Sequence, residues 1–299
     1  MNSADWVKIT EVCPRDGFQN RSFIPTEKKI MMIREMILAG ADEIEVTSFV
    51  NPKWVPQFQD ASEVYNGVKA LAEEKGTKLI TLVPNKKGAD RAKEAGAGIV
   101  NLVLSASETH NMKNVNKTIE ESLRELKSTV EEIEGLEVRL AIACVFGCPF
   151  GEVIPIERIV KICDEAYNYG IKYIGLADSA GMSTPSHTKA ILKEIKNHFS
   201  IDTMGLHLHD TRGMGIANAY VALEEGFRNF DASLGALGGC PFIPGAKGNI
   251  ASEDFVNMVN AMGMKTQYNL EKMLEAARKM ENELEIKLGS SMMSMSTNC

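Results

Sequence analysis

Eight short β-branched runs, each followed by an amphipathic stretch at helical spacing, predict an α/β protein folded as a single (β/α)8 TIM barrel with an extra C-terminal helix. Three observations carry that expectation. The alternation is unbroken, its count is the number that closes a parallel sheet, and the polar and glycine-rich segments follow the runs rather than precede them. A doubly wound open sheet is the alternative, but no GxGxxG follows the first run to favour it.

In chain order the runs are Val7–Cys13, Glu43–Phe49, Lys78–Val83, Ile99–Ser105, Val138–Phe146, Tyr173–Ala177, Gly205–His209 and Asn229–Leu234. Between them, Glu27–Ala39, Ile119–Ile133 and Pro185–Phe199 carry apolar residues at the period of a helix with one buried face. Thr26–Glu27 and Thr184–Pro185 read as helix starts, and Gly40, Gly170 and Gly226 stand where a left-handed residue ends a helix. Residues 1–288 are therefore expected to form one catalytic barrel with C-terminal helices. The Ser- and Met-rich stretch 289–299 reads as a flexible tail.

With 299 residues and a 44% hydrophobic fraction, the chain can bury one large core. Its net charge of −7 argues against nucleic acid as a partner, since phosphates need a basic surface. An anionic substrate must then be held by a few local cations. No stretch approaches the roughly 18 apolar residues of a membrane span, and MNSADWVKIT lacks the basic and apolar regions of a signal peptide. Cysteines 13, 144, 148, 163, 240 and 299 form neither a CxxC pair nor a disulfide framework. Reduced thiols in a cytoplasmic enzyme are the expectation.

A barrel places its chemistry at the C-terminal ends of its strands. Arg15–Asp16, Asn85, Ser105–Ser107, Asp178, His207–Asp210 and Cys240–Asn249 all fall there. His207 and His209 in HLHD project from one face of the seventh strand, about 7 Å apart at Cα, so both imidazoles can converge on one ion. The alternative is one packed and one hydrogen-bonded histidine. Asp16 at the end of the first strand adds a carboxylate, and Asn249 after the eighth adds an amide oxygen. Strands one, seven and eight are neighbours in a barrel. Two imidazoles, a carboxylate and an amide oxygen suit Mg²⁺ or Mn²⁺ with open positions, whereas a closed structural zinc site would recruit thiolates.

Arg15 is read as fixed positive charge for a developing enolate oxygen, or else as a plain salt bridge with Asp16. Glu45, mid-strand in EIEVTSF, should face inward and needs a partner: a metal-bound water, Arg15, or a purely structural ion pair. Asp178 in LADSAG either orients a ligating histidine or caps a helix. Cys240 stands in GGCPFIPGAKGN, a loop able to close over substrate, where a thiol could give a proton to a carbanion. Taken alone, a loop cysteine is more often incidental.

These segments carry a family signature. EVCPRDGFQN, IEVTSFVNPKWVPQ, ASETHNMKNVN, FGCPF, HLHDTRG and LGGCPFIPGAKGN resemble the corresponding segments of 3-hydroxy-3-methylglutaryl-CoA lyases, over about Val7 to Glu283. The resemblance implies that Asp16, His207, His209 and Asn249 bind the metal, that Arg15 stabilises the enolate, and that Cys240 is the loop acid. It also maps Glu45 and Asp178 onto active-site carboxylates. Cys13 and Phe18 depart from the usual Gly and Leu around PRDG, LADSAG replaces LGDTIG, and Ala236 and Lys247 replace a Gly and a small residue.

The implied reaction is cleavage of 3-hydroxy-3-methylglutaryl-CoA to acetyl-CoA and acetoacetate, a step of leucine breakdown or ketone-body formation, in a homodimer of barrels. Arg15, Lys53, Ser107 and Lys113 are the candidates for contact with the acyl-CoA. The competing expectations are a lyase for citramalyl-CoA, a Claisen synthase, and a metal-binding barrel without catalysis.

Overall fold

The computed structural model describes residues 5–239 and 248–295. Eight parallel strands close into a barrel in sequence order: β1 Lys8–Glu11, β2 Glu43–Ser48, β3 Lys78–Leu82, β4 Ile99–Ser105, β5 Glu137–Ala143, β6 Tyr173–Asp178, β7 Met204–Leu208 and β8 Asn229–Ala232. Around them run α1 Thr26–Leu38, α2 Ala61–Lys75, α3 Lys86–Glu94, α4 Glu108–Val115, α5 Ile119–Glu132, α6 Ile156–Asn168, α7 Pro185–His198, α8 Gly215–Glu224 and α9 Ser252–Ala261. The expected extra helix is α10, Leu270–Leu284, whose Met273, Ala276, Ala277 and Met280 are buried.

The expected elements are all present, and the ends differ where the backbone gives a reason. The first run stops as strand at Glu11, because Cys13–Gly17 winds into one π-helical turn with Pro14 near its start. The fifth run stops at Ala143, where Cys144 turns to a φ of 59° that no strand residue adopts. Thr184 caps α7 by accepting from the His187 amide. Gly40, Gly170 and Gly226 take φ values of 91°, 95° and 97°, the conformation that ends a helix at little steric cost.

Parallel strands covered by helices are buried on both faces, and every residue of β2 is. One face packs outward against the helices, as where Phe230 of β8 meets Phe255 of α9 with ring centres 4.8 Å apart. The other face fills the barrel, and near its floor it is ionic. Arg139 grips Glu43 with two nitrogens, at 2.7 and 3.1 Å, and Lys8 adds a second ion pair to the same carboxylate. Charges inside a barrel persist only when paired in this way.

Register fixes what meets at the mouth. Pairing of β7 with β8 sets His207 directly beside Asp231, and pairing of β1 with β8 sets Glu11 beside Ala232. At the C-terminus, the described part of the expected tail is held in place. Gly289 N–H donates to Gly235 O, and the Asp254 carboxylate accepts from Ser290, Ser291 and Met292, opening the short helix α11, Ser291–Ser294. One backbone bond and one helix-capping carboxylate do this, and composition does not reveal them. Cys299 lies outside the described residues.

Candidate active site

The mouth of the barrel is assembled from three chain segments. In the first, the Val12 carbonyl accepts from the amides of Arg15, Asp16 and Gly17, a tight turn that lifts two adjacent charged side chains over β1. In the second, β7 delivers His207 and His209. In the third, residues 248–250 return along the end of β7: Asp210 N–H donates to Gly248 O, Ile250 N–H to Leu208 O, and Asn249 stands opposite His209.

These segments bring the four expected ligand residues together. The ligating atoms of Asp16, His207 and His209 lie within 4.8 Å of one another. Asn249 joins them by donating to Asp16 Oδ2 at 2.6 Å. Its other amide atom, Oδ1, is buried and has no hydrogen-bond partner. The space is kept open by Gly238, since a Cβ there would fall 2.4 Å from Asn249 Nδ2 and 2.6 Å from Asp16 Oδ2.

The protonation pattern fits a cation. Burial, with His207 and Arg15 nearby, pushes His209 down to about 4, so its imidazole is neutral near neutral pH. Burial works against the Asp16 charge, but Arg15, the two histidines and Asn249 outweigh it and hold the carboxyl below its usual range. His207 Nδ1 lies 3.1 Å from Asp231 Oδ2, while its Nε2 faces His209 Nε2 at 3.1 Å. If Asp231 accepts a hydrogen bond from Nδ1–H, neutral His207 turns the Nε2 lone pair toward the other ring. A shared proton or a bound cation must reconcile the two nitrogens. Two imidazoles, a carboxylate and an unsatisfied buried amide oxygen are a donor set for one divalent ion.

Arg15 is held on two sides: Nε donates to Glu45 Oε2 at 2.5 Å and Nη1 to Asp16 Oδ1 at 2.7 Å. Burial disfavours its charge, but Glu45, Asp16 and Asp231 more than offset this, so the guanidinium stays protonated. Of the partners considered for Glu45, the structure supplies Arg15. Its other oxygen accepts from Asn101 Nδ2 at 3.0 Å. A cavity of about 710 Å³ opens here, running from Trp54 at the rim past Arg15, Asp16 and His207 down to Arg139 and Tyr173.

A family model described as HMGL-like matches residues 6–280. The chain belongs to the HMGL-like family. It is 41% identical to a hydroxymethylglutaryl-CoA lyase of Bacillus subtilis over 281 residues, 93% of each chain. It is 40% identical to the mitochondrial hydroxymethylglutaryl-CoA lyase of mouse, covering 90% of this chain and 83% of that one. Among solved structures, the HMG-CoA lyase of B. subtilis superposes with a TM-score of 0.93 at 40% identity, covering 97% of both chains. The HMG-CoA lyase of Acinetobacter baumannii in complex with coenzyme A and 3-methylmalate gives 0.93 at 38%, covering 100% of this chain and 98% of that one.

Within this HMGL-like barrel, several expected site residues lie elsewhere. Asp178 does not touch either histidine; its two oxygens accept from the amides of Met182 and Ser183, at 2.9 Å each, and so tie the turn after β6. The carboxylate that orients a histidine is Asp231. Ser107 is buried and its hydroxyl is fully engaged, capping α4 at His110 N–H and donating to Glu152 Oε2 at 2.7 Å. It is a helix cap and does not line the cavity. Lys53 and Lys113 are exposed and stand next in sequence to the lining residues Trp54 and Asn114. Cys240 and Lys247 lie outside the described residues.

Asp231, Asn101 and Gly238 were not anticipated from sequence. Asp231 had a legible signal, because Asn229, Asp231 and Ser233 alternate polar with apolar along the eighth run and so share its inward face. Asn101 is likewise the polar break in IVNLVL.

Proposed function

We propose that this HMGL-like enzyme is a carbon–carbon lyase that splits 3-hydroxy-3-methylglutaryl-CoA into acetyl-CoA and acetoacetate. The observation that carries the reading is a permanently charged guanidinium lining the same cavity as Asp16, His207 and His209, with the buried Asn249 bonded to Asp16. The names of the relatives, and the coenzyme A in one relative's structure, supply the substrate class.

Asp16, His207, His209 and Asn249 would hold Mg²⁺ or Mn²⁺, which when bound acidifies the tertiary hydroxyl of a chelating substrate. Loss of that hydroxyl proton to a water or a neighbouring carboxylate lets the C2–C3 electron pair leave toward the thioester. The ketone of acetoacetate forms as the acetyl-CoA enolate departs. Arg15, fixed by Glu45 and Asp16, offers its N–H groups to the enolate oxygen, where charge appears only as the bond breaks. Cys240 would return a proton to the enolate carbon. Lys53 and Lys113 are proposed as outer contacts for the phosphates of coenzyme A. A homodimer in the cytoplasm belongs to the same reading; the buried free thiols Cys13, Cys148 and Cys163 support a reducing compartment. Among the described residues, no helix is long and apolar enough to cross a membrane.

The test is acetoacetate release from chelator-stripped protein with and without Mg²⁺ or Mn²⁺, beside citramalyl-CoA as competing substrate. Cleavage should need the metal and favour the hydroxymethylglutaryl thioester. Arg15→Gln should keep metal affinity while kcat falls about 10²–10³-fold, the usual cost of one oxyanion donor. Metal-independent turnover, faster cleavage of citramalyl-CoA, or a normal Arg15→Gln enzyme would each overturn the proposal.

A further inference from the structure

On the face of β1 opposite to Thr10 and Val12, which line the cavity, a buried carboxylate occupies a place that no reaction step uses. Glu11 is fully buried on β1 and accepts four hydrogen bonds from four parts of the chain. Its Oε1 takes the amides of Cys13 and Leu234, at 2.9 Å each. Its Oε2 takes the hydroxyls of Ser252 at 2.7 Å and Tyr268 at 3.0 Å.

The two amides are the informative pair. Cys13 opens the turn that presents Arg15 and Asp16. Leu234 opens a short 3-10 turn, Leu234–Ala236, and the chain then passes through Leu237, whose carbonyl accepts from Asn249 Nδ2 at 3.0 Å. One oxygen atom therefore sets the spacing between the Asp16 turn and the segment that seats Asn249. The two turns also touch, since a Cβ on Gly17 would meet Leu237 Cβ at 3.0 Å. From the opposite side, the Glu253 carboxylate accepts from Gly235 N–H with both oxygens, at 3.1 Å each. The turn after β8 is thus gripped through consecutive amides by two buried carboxylates.

We propose that Glu11 is a positioning residue for the metal cluster, and that its working part is an acceptor oxygen at a fixed reach, not its charge. Backbone amides can only donate, so Oε1 must remain an acceptor. The two hydroxyls facing Oε2 can rotate and accept instead. A glutamine fits this pattern, with its carbonyl oxygen on the two amides and its NH₂ toward Ser252 and Tyr268. An aspartate keeps the charge but is one methylene too short to hold both amides.

This rests on the metal reading above, and the test separates the two. Mn²⁺ is titrated into the stripped wild-type protein and into Glu11→Gln and Glu11→Asp, with thermal unfolding recorded alongside. The expected order is Gln within about 3-fold of wild type and Asp at least about 10-fold weaker, the scale of lost support around a metal. Tyr268→Phe and Ser252→Ala, which leave the two amides untouched, should lower the unfolding temperature and retain Mn²⁺ affinity. A reversed order, with Asp near wild type and Gln weakened, overturns the proposal, as does equal affinity in both. Weak binding by folded Tyr268→Phe and Ser252→Ala proteins overturns it too. Failure of the wild-type protein itself to bind Mn²⁺ would strike the metal reading instead.

Discussion

Asp231→Asn isolates the link between barrel register and metal affinity. The carboxylate sits beside His207 because β7 and β8 pair His207 with Asp231, and it approaches Nδ1 at 3.1 Å. Burial disfavours a charged His207, yet the hydrogen bond and charge of Asp231, with Asp16, raise its pKa above the usual value. An asparagine of the same shape either donates to Nδ1, which moves the ring proton to Nε2 and removes the ligand, or accepts without charge and leaves a poorer donor nitrogen. Removing such a supporting group typically costs 10- to 100-fold in metal affinity. At about 1.4 kcal/mol per tenfold, that is about 1.4–2.8 kcal/mol. Titration of Mn²⁺ into the stripped variant measures it directly, with circular dichroism confirming the fold. An unchanged Kd in a folded variant would show that His207 does not depend on Asp231 for its tautomer, and the carboxylate–imidazole–metal reasoning would fail.

Other perturbations test the site and its foundation. Gly238→Ala places a methyl carbon 2.4–2.6 Å from Asn249 and Asp16 at a φ of 124°, so Mn²⁺ affinity should fall at least about 10-fold, and unchanged affinity would mean the turn can yield. Glu43→Gln removes the carboxylate that takes two nitrogens of the buried Arg139, leaving only the Nε contact to the more exposed Glu137, and should cost up to about 3–5 kcal/mol in urea unfolding at pH 7. That difference should shrink in acid. Burial opposes ionised Glu43, but Arg139 and Lys8 hold its pKa down to about 2, against an unfolded value near 4.5. Its stabilisation is therefore present above about pH 4.5 and lost as pH falls toward 2, by about 3 kcal/mol.

Sequence patterning disclosed the barrel because its causes are local. Short β-branched runs make β1 to β8, and a period near 3.6 makes the helices between them. The clustering of Asp16, His207, His209 and Asn249 was legible for a related reason. HLHD puts two imidazoles on one strand face, and the closed strand order returns β8 beside β1, bringing Asn249 to Asp16. Contacts decided by a turn's geometry were not legible. Asp178 could orient a histidine from the end of β6, but the turn that follows folds back on its oxygens and consumes both. Ser107 could face substrate from the end of β4, but α4 starts one residue later and takes its hydroxyl as a cap. In both cases an unsatisfied backbone amide nearby outcompetes a distant partner. Asp231 is the converse, a residue whose role is fixed by cross-strand register and has no motif of its own.

The charges at the mouth explain why these residues belong together. Arg15 is one fixed positive charge, and it is met by three carboxylates, Asp16 and Glu45 through hydrogen bonds and Asp231 through its field. Such a surplus of negative charge is costly inside a barrel, where partners must compensate what water does outside. Two things can supply the compensation. A proton can settle on His207, the imidazole whose affinity for it Asp231 and Asp16 raise. A divalent cation can settle among Asp16, His207, His209 and Asn249, using the same Nε2 and the otherwise unsatisfied Asn249 oxygen. The two compete for one nitrogen, so taking up the cation expels the proton. Under the proposed function, the carboxylates that fix Arg15 for the enolate would also create the negative surplus that draws a metal in, so that one cluster of acidic residues would account for both halves of the site.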